Sequence, residues 1–312
     1  MPGGTAPPGW MKSPHPPLVK GGSGGIWGLL AGLLLLATAC TWASPRSLTP
    51  TPLSGSPEVS VVVVTTDLAL GANRVVFGLV TLEGSPVRAP EAQVRAIYLP
   101  PGQAPGEVRA TGAARFMKWP IGPQGVFVTR LEFNQAGFWE LEVSATRPDG
   151  KPVLAKGAFQ VKEKPATPAI GAPAPRSVTP TLDGVSDLAT ITTANPPDPD
   201  LYRLSIHQAL DAKKPLVVTF ATPAYCMTAT CGPSVGVLLE LKDRYKDRAN
   251  FIHVEVFQNP HLLQGRLPVG GYAPAVLEWG LPTEPFTFVM DGQGRVRAKF
   301  EGFTTGEEIE AA

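Results

Sequence analysis

The sequence predicts a multidomain protein in which an all-β sandwich is followed by an α/β domain. Seven short segments of alternating apolar and polar residues lie between positions 59 and 163, separated by turn residues. From position 201 to 312, apolar strand-like runs alternate with segments of helical periodicity. Two stretches rich in proline and hydroxyl residues, 41–58 and 164–200, border these parts and are predicted to be linkers.

Net charge and cysteine count give no indication of a nucleic-acid-binding protein or of a disulfide scaffold. The 312 residues carry 27 Lys and Arg against 26 Asp and Glu, a net charge of +1, which gives no reason to expect a nucleic-acid partner. Three cysteines are too few for a disulfide scaffold. We expect no cofactor, and we expect the partners to be proteins.

The first 40 residues have the pattern of an export signal. Lys12 and Lys20 precede an apolar run, 26–39, which ends in small residues before Cys40. The run is short for a membrane span, which needs about 20 residues. Cys40 stands where a bacterial lipoprotein signal places its lipidated cysteine, so we expect a lipid anchor in the cell membrane. Cleavage without lipidation, giving a secreted protein, is the alternative; both place the protein outside the cytoplasm, where disulfides persist.

The region 59–163 is predicted to form a β-sandwich. The alternation is clearest in Gly137–Val143, where Trp139, Leu141 and Val143 share one face. This segment resembles a strand of bacterial immunoglobulin-like sandwiches, and the resemblance implies an immunoglobulin-like fold. The predicted strands are Val59–Val64, Arg74–Leu82, Gln93–Leu99, Val108–Met117, Val126–Phe133, Phe138–Ala145 and Val153–Val161.

The region 201–312 alternates predicted helices and strands. A capping-box pattern at Ser205–Gln208 opens the first helix, and a second at Thr305–Glu308 opens the last. The last predicted helix is too short to cover a sheet, so we expect it to be incomplete. The predicted strands are Pro215–Phe220, Asn250–Phe257, Phe286–Met290 and Arg295–Phe300, and the longest predicted helix is Pro233–Asp247.

Two cysteines, Cys226 and Cys231, lie between a buried strand and this helix. On one regular helix their Cα atoms would be roughly 8–9 Å apart, farther than the about 7 Å that a disulfide tolerates. Since Pro233 suits a first helical turn, we expect the helix to begin near Cys231 and Cys226 to occupy a loop that folds back. A Cys226–Cys231 disulfide is then feasible.

The order of elements and two segments resemble the extracytoplasmic TlpA/redoxin type of thioredoxin-like domain. The segments are Phe220–Cys226 and Glu284–Val296. The resemblance implies a thioredoxin fold over 201–312 and a catalytic cysteine pair, and it implies that Pro285 is a cis-proline that shapes the substrate groove. The chain departs from the family in having four residues, not two, between its cysteines.

These observations favour a thiol–disulfide oxidoreductase that acts on exported protein thiols or disulfides, or with a membrane redox partner. Cys226 is the expected attacking thiol and Cys231 the resolving thiol, although the helix end could favour a thiolate at Cys231 instead. One alternative is a non-enzymatic binding module with a structural disulfide. Another is a Sco-like copper chaperone that adds His253 or His261 to the two cysteines; we expect both histidines to have packing or surface roles instead.

Overall fold

The computed structural model describes residues 58–102, 106–122, 124–263 and 271–312. The predicted export signal 1–40, the lipidation site Cys40 and almost all of the predicted linker 41–58 lie outside these residues and stay predictions. Within the described ranges, none of the helices combines the length and the apolar character needed to span a membrane.

Seven strands form the first part of the fold. Each predicted strand is present, with ends shifted by at most a few residues. Their bounds are β1 Val59–Val63, β2 Gly71–Thr81, β3 Glu91–Leu99, β4 Glu107–Lys118, β5 Gly125–Phe133, β6 Gly137–Thr146 and β7 Pro152–Val161.

These strands close into a barrel in the order β1-β2-β5-β4-β3-β6-β7. Closure depends on β1, which pairs antiparallel with β2 and, through Ser60 and Lys156, parallel with β7. At this junction Gly157 lies so close to the Val61 backbone that an added Cβ would collide with the Val61 carbonyl. The predicted sandwich is therefore corrected to a closed barrel, because its first and last strands pair with each other.

Aromatic side chains fill the barrel. Trp139, Phe133 and Phe127 are fully buried, and the Phe133 and Trp139 rings meet edge to face with centroids 5.0 Å apart. Such pairs add about 0.5–1.5 kcal/mol beyond burial of their surface. The inward residues at alternate positions of β6, Trp139, Leu141 and Val143, are those that the alternation predicted.

A smaller, four-stranded sheet follows, with strand order β11-β10-β8-β9. Strands β8 and β9 are parallel, whereas β10 is antiparallel to both β8 and β11. The bounds are α1 Ile206–Asp211, β8 Leu216–Ala221, α2 Cys231–Tyr245, β9 Asn250–Glu255, α3 Pro274–Glu278, β10 Phe286–Met290, β11 Val296–Glu301 and α4 Gly306–Glu310.

The predicted fold class is wrong. The described chain is predominantly β, with a closed seven-stranded barrel and a small second sheet, and the α/β thioredoxin-like domain expected over 201–312 is not evident. Of the helices beside this sheet only α2, with 15 residues, is longer than two turns; α1 has 6 residues, and α3 and α4 have 5 each. Local patterns located the elements, but the fold class inferred from their order is not supported.

Part of the segment 164–200, which the sequence assigned to a linker, packs on the small sheet in extended form. Gly171 donates its backbone N–H to the Val296 carbonyl at 2.7 Å, and Ala174 donates to the Gly294 carbonyl at 2.9 Å. The side chain of Ser177 accepts a hydrogen bond from the Trp279 indole N–H at 3.1 Å. These contacts run along the start of β11 and reach the end of α3.

Barrel and small sheet contact each other through buried charges. Arg74 of β2 binds Glu308 of α4 with two hydrogen bonds, of 2.8 and 2.9 Å. Asp67 accepts hydrogen bonds from the Thr167 hydroxyl at 2.6 Å and from the Lys299 ammonium at 3.0 Å. Because bidentate and multiply bonded charge pairs are geometrically specific, the two parts are held in one arrangement.

Candidate thiol site

The two cysteines of the predicted site lie at the connection between β8 and α2. β8 ends at Ala221, and α2 begins at Cys231, as expected from the sequence. The loop between them is not helical, and Ala229 has a φ of 59°, a left-handed conformation uncommon for a residue with a side chain. This turn brings the loop back so that Cys226 lies over the first residue of the helix.

A hydrogen bond joins the two cysteines. The backbone N–H of Cys231 donates to the Sγ of Cys226, with the nitrogen 3.2 Å from the sulfur. The hydroxyl of Thr228 also lies 3.3 Å from this sulfur. Interaction with the Cys231 thiol, together with these bonds, outweighs partial burial and lowers the pKa of Cys226 to about 5. Cys226 is therefore a thiolate at neutral pH, stabilised at the positive end of α2.

Cys231 has the opposite character. Its side chain is fully buried, whereas Cys226 is half-buried. The adjacent Cys226 sulfur and burial both raise the pKa of Cys231, so it stays a neutral thiol. Both cysteines are free in this structure. The Cys226–Cys231 disulfide therefore stays a prediction, and the two residues are close to each other.

Glu284 and Pro285 approach the pair from β10. The Glu284–Pro285 bond is cis, as the sequence resemblance implied for Pro285. Phe286 pairs with Phe220 of β8, the strand that leads into the cysteine loop, and Glu284 and Pro285 directly precede Phe286. Burial, and then the negative charge of Cys226, raise the pKa of Glu284. A carboxylate near a thiolate has a raised pKa because the two negative charges repel each other, and the raised pKa suits it to accept a proton.

The tip of the β4–β5 hairpin forms a groove with the cysteine loop, which sequence reasoning missed because the two segments are about a hundred positions apart. We call it the hairpin groove; its cavity volume is about 440 Å³. Its lining includes Trp119, Pro120 and Ile121 of the hairpin and Met227, Thr228 and Thr230 of the loop.

A buried polar cluster supports the loop from the other side. Glu255, at the end of β9, accepts hydrogen bonds of 2.8 Å from both the backbone N–H and the hydroxyl of Thr193. The same hydroxyl accepts the backbone N–H of Ala224 at 3.2 Å, two residues before Cys226. Sequence reasoning assigned Thr193 to a linker and so missed this support.

The two histidines considered as copper ligands form no described hydrogen bond with either cysteine. His253 is buried; its Nδ1 lies 2.7 Å from the Tyr202 hydroxyl and its Nε2 lies 3.1 Å from the Ala221 carbonyl oxygen. Both ring nitrogens are thus engaged within the protein. His261 is exposed in a short 3₁₀ turn, Pro260–Leu262. Among the described residues, no three His, Cys, Asp or Glu side chains are grouped as a metal site would require.

Comparisons with known proteins identify no family. No protein-family model matches the chain, and no curated protein matches its sequence. The structure of murine CRIg is 12% identical, and the match covers 33% of this chain and 96% of that one with a TM-score of 0.21. The crystal structure of MtrC from Shewanella baltica OS185 is 10% identical over 76% of this chain and 51% of that one, with a TM-score of 0.23. Scores this low support no argument about fold or function.

The sequence resemblance to the TlpA/redoxin type of thioredoxin-like domain is therefore not upheld. The described part of the chain is mostly β with few helices, and no family model matches the chain. The immunoglobulin-like sandwich proposed to precede that domain is a closed barrel. What remains is the local chemistry of Cys226, Cys231 and Glu284, which depends on their positions and not on a family.

Proposed function

We propose that this chain is a thiol–disulfide oxidoreductase of exported proteins that acts through Cys226 and Cys231. The observation that carries the proposal is the 3.2 Å hydrogen bond from the Cys231 backbone N–H to the half-buried Cys226 sulfur. A donor fixed at a helix start stabilises a thiolate, and the thiolate is the form that attacks disulfides. The extracytoplasmic, lipid-anchored location rests on residues 1–40 alone and is part of the proposal.

The exchange proceeds in two balanced steps. The Cys226 thiolate attacks one sulfur of a client disulfide, which forms a Cys226–client bond and releases the second client sulfur as a thiolate. Cys231 then loses its proton and attacks the Cys226 sulfur, which forms the Cys226–Cys231 disulfide and releases the first client sulfur. Two electrons pass from the cysteine pair to the client, and the reverse sequence oxidises a client dithiol.

The burial of the two cysteines suits these two roles. Cys226 can be reached by a client, whereas Cys231 is fully buried and is reached only from within the protein. The raised pKa of Cys231 means that its proton must be removed when the second step occurs. Glu284, whose own pKa is raised by burial and by Cys226, is the group that we assign to accept this proton.

The test is a redox titration of the full chain followed by mass spectrometry. We expect a two-electron transition with a Cys226–Cys231 disulfide as its oxidised product, at a potential above about −300 mV. Cys231→Ser should trap a mixed disulfide at Cys226, and Cys226→Ser should form none.

Other results would contradict the proposal. Two thiols that stay free under oxidising conditions would exclude dithiol exchange. A potential below about −300 mV, with a loss of about 2–5 kcal/mol of stability on reduction, would instead indicate a structural disulfide in a binding module.

A further inference from the structure

One side chain, that of Thr228, links the hairpin groove to the reactive sulfur. Thr228 lines the groove, and its hydroxyl lies 3.3 Å from the Sγ of Cys226. A second contact, of 2.7 Å between the Thr228 and Thr230 hydroxyls, braces the loop that forms this side. A chain segment seated in the groove would therefore lie within one side chain of the sulfur that would attack it.

The other side of the groove belongs to the barrel. Trp119 donates its backbone N–H to the Gln124 carbonyl at 2.9 Å, which closes the hairpin tip and presents Ile121 beyond it. The buried Arg74–Glu308 pair joins the barrel to the part of the chain that carries Cys226. The barrel thus contributes surface to the thiol site.

The chemistry of the lining specifies what fits. No charged side chain lines the groove in the described part of the chain. Met227 is 91% exposed and Ile121 is 55% exposed, although both are apolar. Methionine is frequent on surfaces that accept varied apolar partners. A charged segment would lose hydration in this groove without gaining a counter-charge, whereas an apolar one would bury surface.

We propose that the hairpin groove binds an apolar, cysteine-containing segment of the client protein, so that the barrel selects the clients of the thiol pair. This inference rests on the proposed function. The volume of the hairpin groove, about 440 Å³, lies within the usual range of binding pockets, roughly 300–1,000 Å³. Seating the segment there holds its sulfur beside Cys226, which raises the rate of the first exchange step.

The test uses the full chain and two short synthetic peptides, each with a central cysteine joined to 2-thiopyridine as a mixed disulfide. Leu and Val flank the cysteine in one peptide, and Glu flanks it in the other. Attack by Cys226 forms the Cys226–peptide disulfide and releases thiopyridine, whose absorbance gives the rate. We expect the apolar peptide to react about ten-fold faster at high salt, where repulsion between charges is screened.

Ile121→Asp and Met227→Asp should each remove this preference. Leu82→Asp, at an apolar barrel residue that is 70% exposed but does not line the groove, should leave it intact. Glutathione disulfide is the third probe; its rate reports the thiol chemistry without an apolar segment, and it should be the same for wild-type protein and Leu82→Asp.

The outcomes separate the two proposals. If wild-type protein reacts with no probe, the proposed thiol chemistry is wrong. If it reacts with glutathione disulfide but shows no preference for the apolar peptide, or one that both groove variants retain, the groove inference alone is overturned. Loss of the preference in Leu82→Asp as well would also overturn it, since the effect would not be specific to the groove.

Discussion

The backbone N–H of Cys231 points at the sulfur of Cys226 across 3.2 Å, although five positions separate the two residues in the chain. The contact requires a helix that starts at Cys231 and a loop that reverses at Ala229. The Cys231 thiol, the Thr228 hydroxyl and this bond together lower the pKa of the half-buried Cys226, whereas the Cys226 sulfur and burial raise the pKa of Cys231. The difference in protonation between two adjacent thiols is the property on which the proposed chemistry depends.

The reactivity of Cys226 should follow its lowered pKa. Alkylation by iodoacetamide needs the thiolate, so we expect its rate at Cys226 to rise with pH, with a midpoint near a pKa of about 5, and to be constant at neutral pH. Cys231 should stay unmodified in the folded protein. Mass spectrometry of the alkylated protein separates the two sites, and a midpoint near the ordinary value of 9.0 would contradict the assignment.

Glu284→Gln should slow resolution of the mixed disulfide. Loss of the proton acceptor removes a contribution on the order of 10²-fold from the step in which Cys231 attacks. Loss of the negative charge should also lower the pKa of Cys226 further, because the two charges repel each other.

Single-turnover kinetics measure formation and resolution of the mixed disulfide separately. Glu240→Gln, an exposed position on α2, is the matched control and should change neither step. If Glu284→Gln resolves the mixed disulfide at the wild-type rate, Glu284 does not accept the proton of Cys231.

Arg74→Met should destabilise the protein much more than Arg95→Met. Arg74 is paired to Glu308 with side-chain exposures of 5% and 22%, and its loss leaves a largely buried carboxylate without its partner. We expect a loss of about 3 kcal/mol in the free energy of unfolding. Arg95 pairs with Glu142, but its side chain is 55% exposed, so its loss should cost less than about 1 kcal/mol. Urea denaturation measures both losses, and a loss for Arg74→Met as small as that expected for Arg95→Met would show that the Arg74–Glu308 pair contributes little to stability.

Gly157→Ala should disturb closure of the barrel. The added Cβ would collide with the Val61 carbonyl oxygen, and the parallel contact of β1 with β7 would have to shift. Overpacking of this kind costs about 1–3 kcal/mol. Gly78→Ala in β2 is the control, because no atom lies within 4 Å of its added Cβ. Hydrogen exchange of the β1 amides should accelerate in the first variant only.

The free energy of unfolding should decrease as the pH drops below 6.5, the ordinary pKa of histidine. Burial lowers the pKa of His253 from 6.5 to about 4, so protonation favours the unfolded state between these values. The stability that His253 contributes is present above pH 6.5 and lost towards pH 4, a difference of about 3 kcal/mol. Among its neighbours, Tyr202 stays neutral, and Glu255, whose pKa is raised by burial, acts in the opposite direction.

Comparison with His253→Gln isolates this contribution. The variant should lose the pH dependence between 6.5 and 4 that wild-type protein owes to the imidazole, whatever its absolute stability. His261→Gln, at an exposed position, should keep the wild-type dependence. Parallel curves for wild type and His253→Gln would mean that the imidazole is not buried as described.

Local sequence signals located the elements well and the architecture poorly. Alternation in Phe138–Ala145 predicted β6 within one residue at each end, because side chains must alternate across a strand whatever its partners are. Nothing in β1 or β7 alone indicated that Ser60 and Lys156 would pair, and that pairing distinguishes a closed barrel from an open sandwich. Element order likewise suggested a fold class over 201–312 that the short helices do not support.

For the candidate site, the sequence by itself determined that two cysteines flank a loop before a helix, since strand periodicity and Pro233 limit where that helix can begin. Only the tertiary structure decided which thiol is acidic, because hydrogen bonding and burial set a pKa and neither can be read from one segment. It also placed Glu284 near Cys226 and the β4–β5 hairpin beside the loop that follows Cys226. Both contacts join residues far apart in the chain: the first requires β10 to pair with β8, and the second requires the barrel to pack on the small sheet.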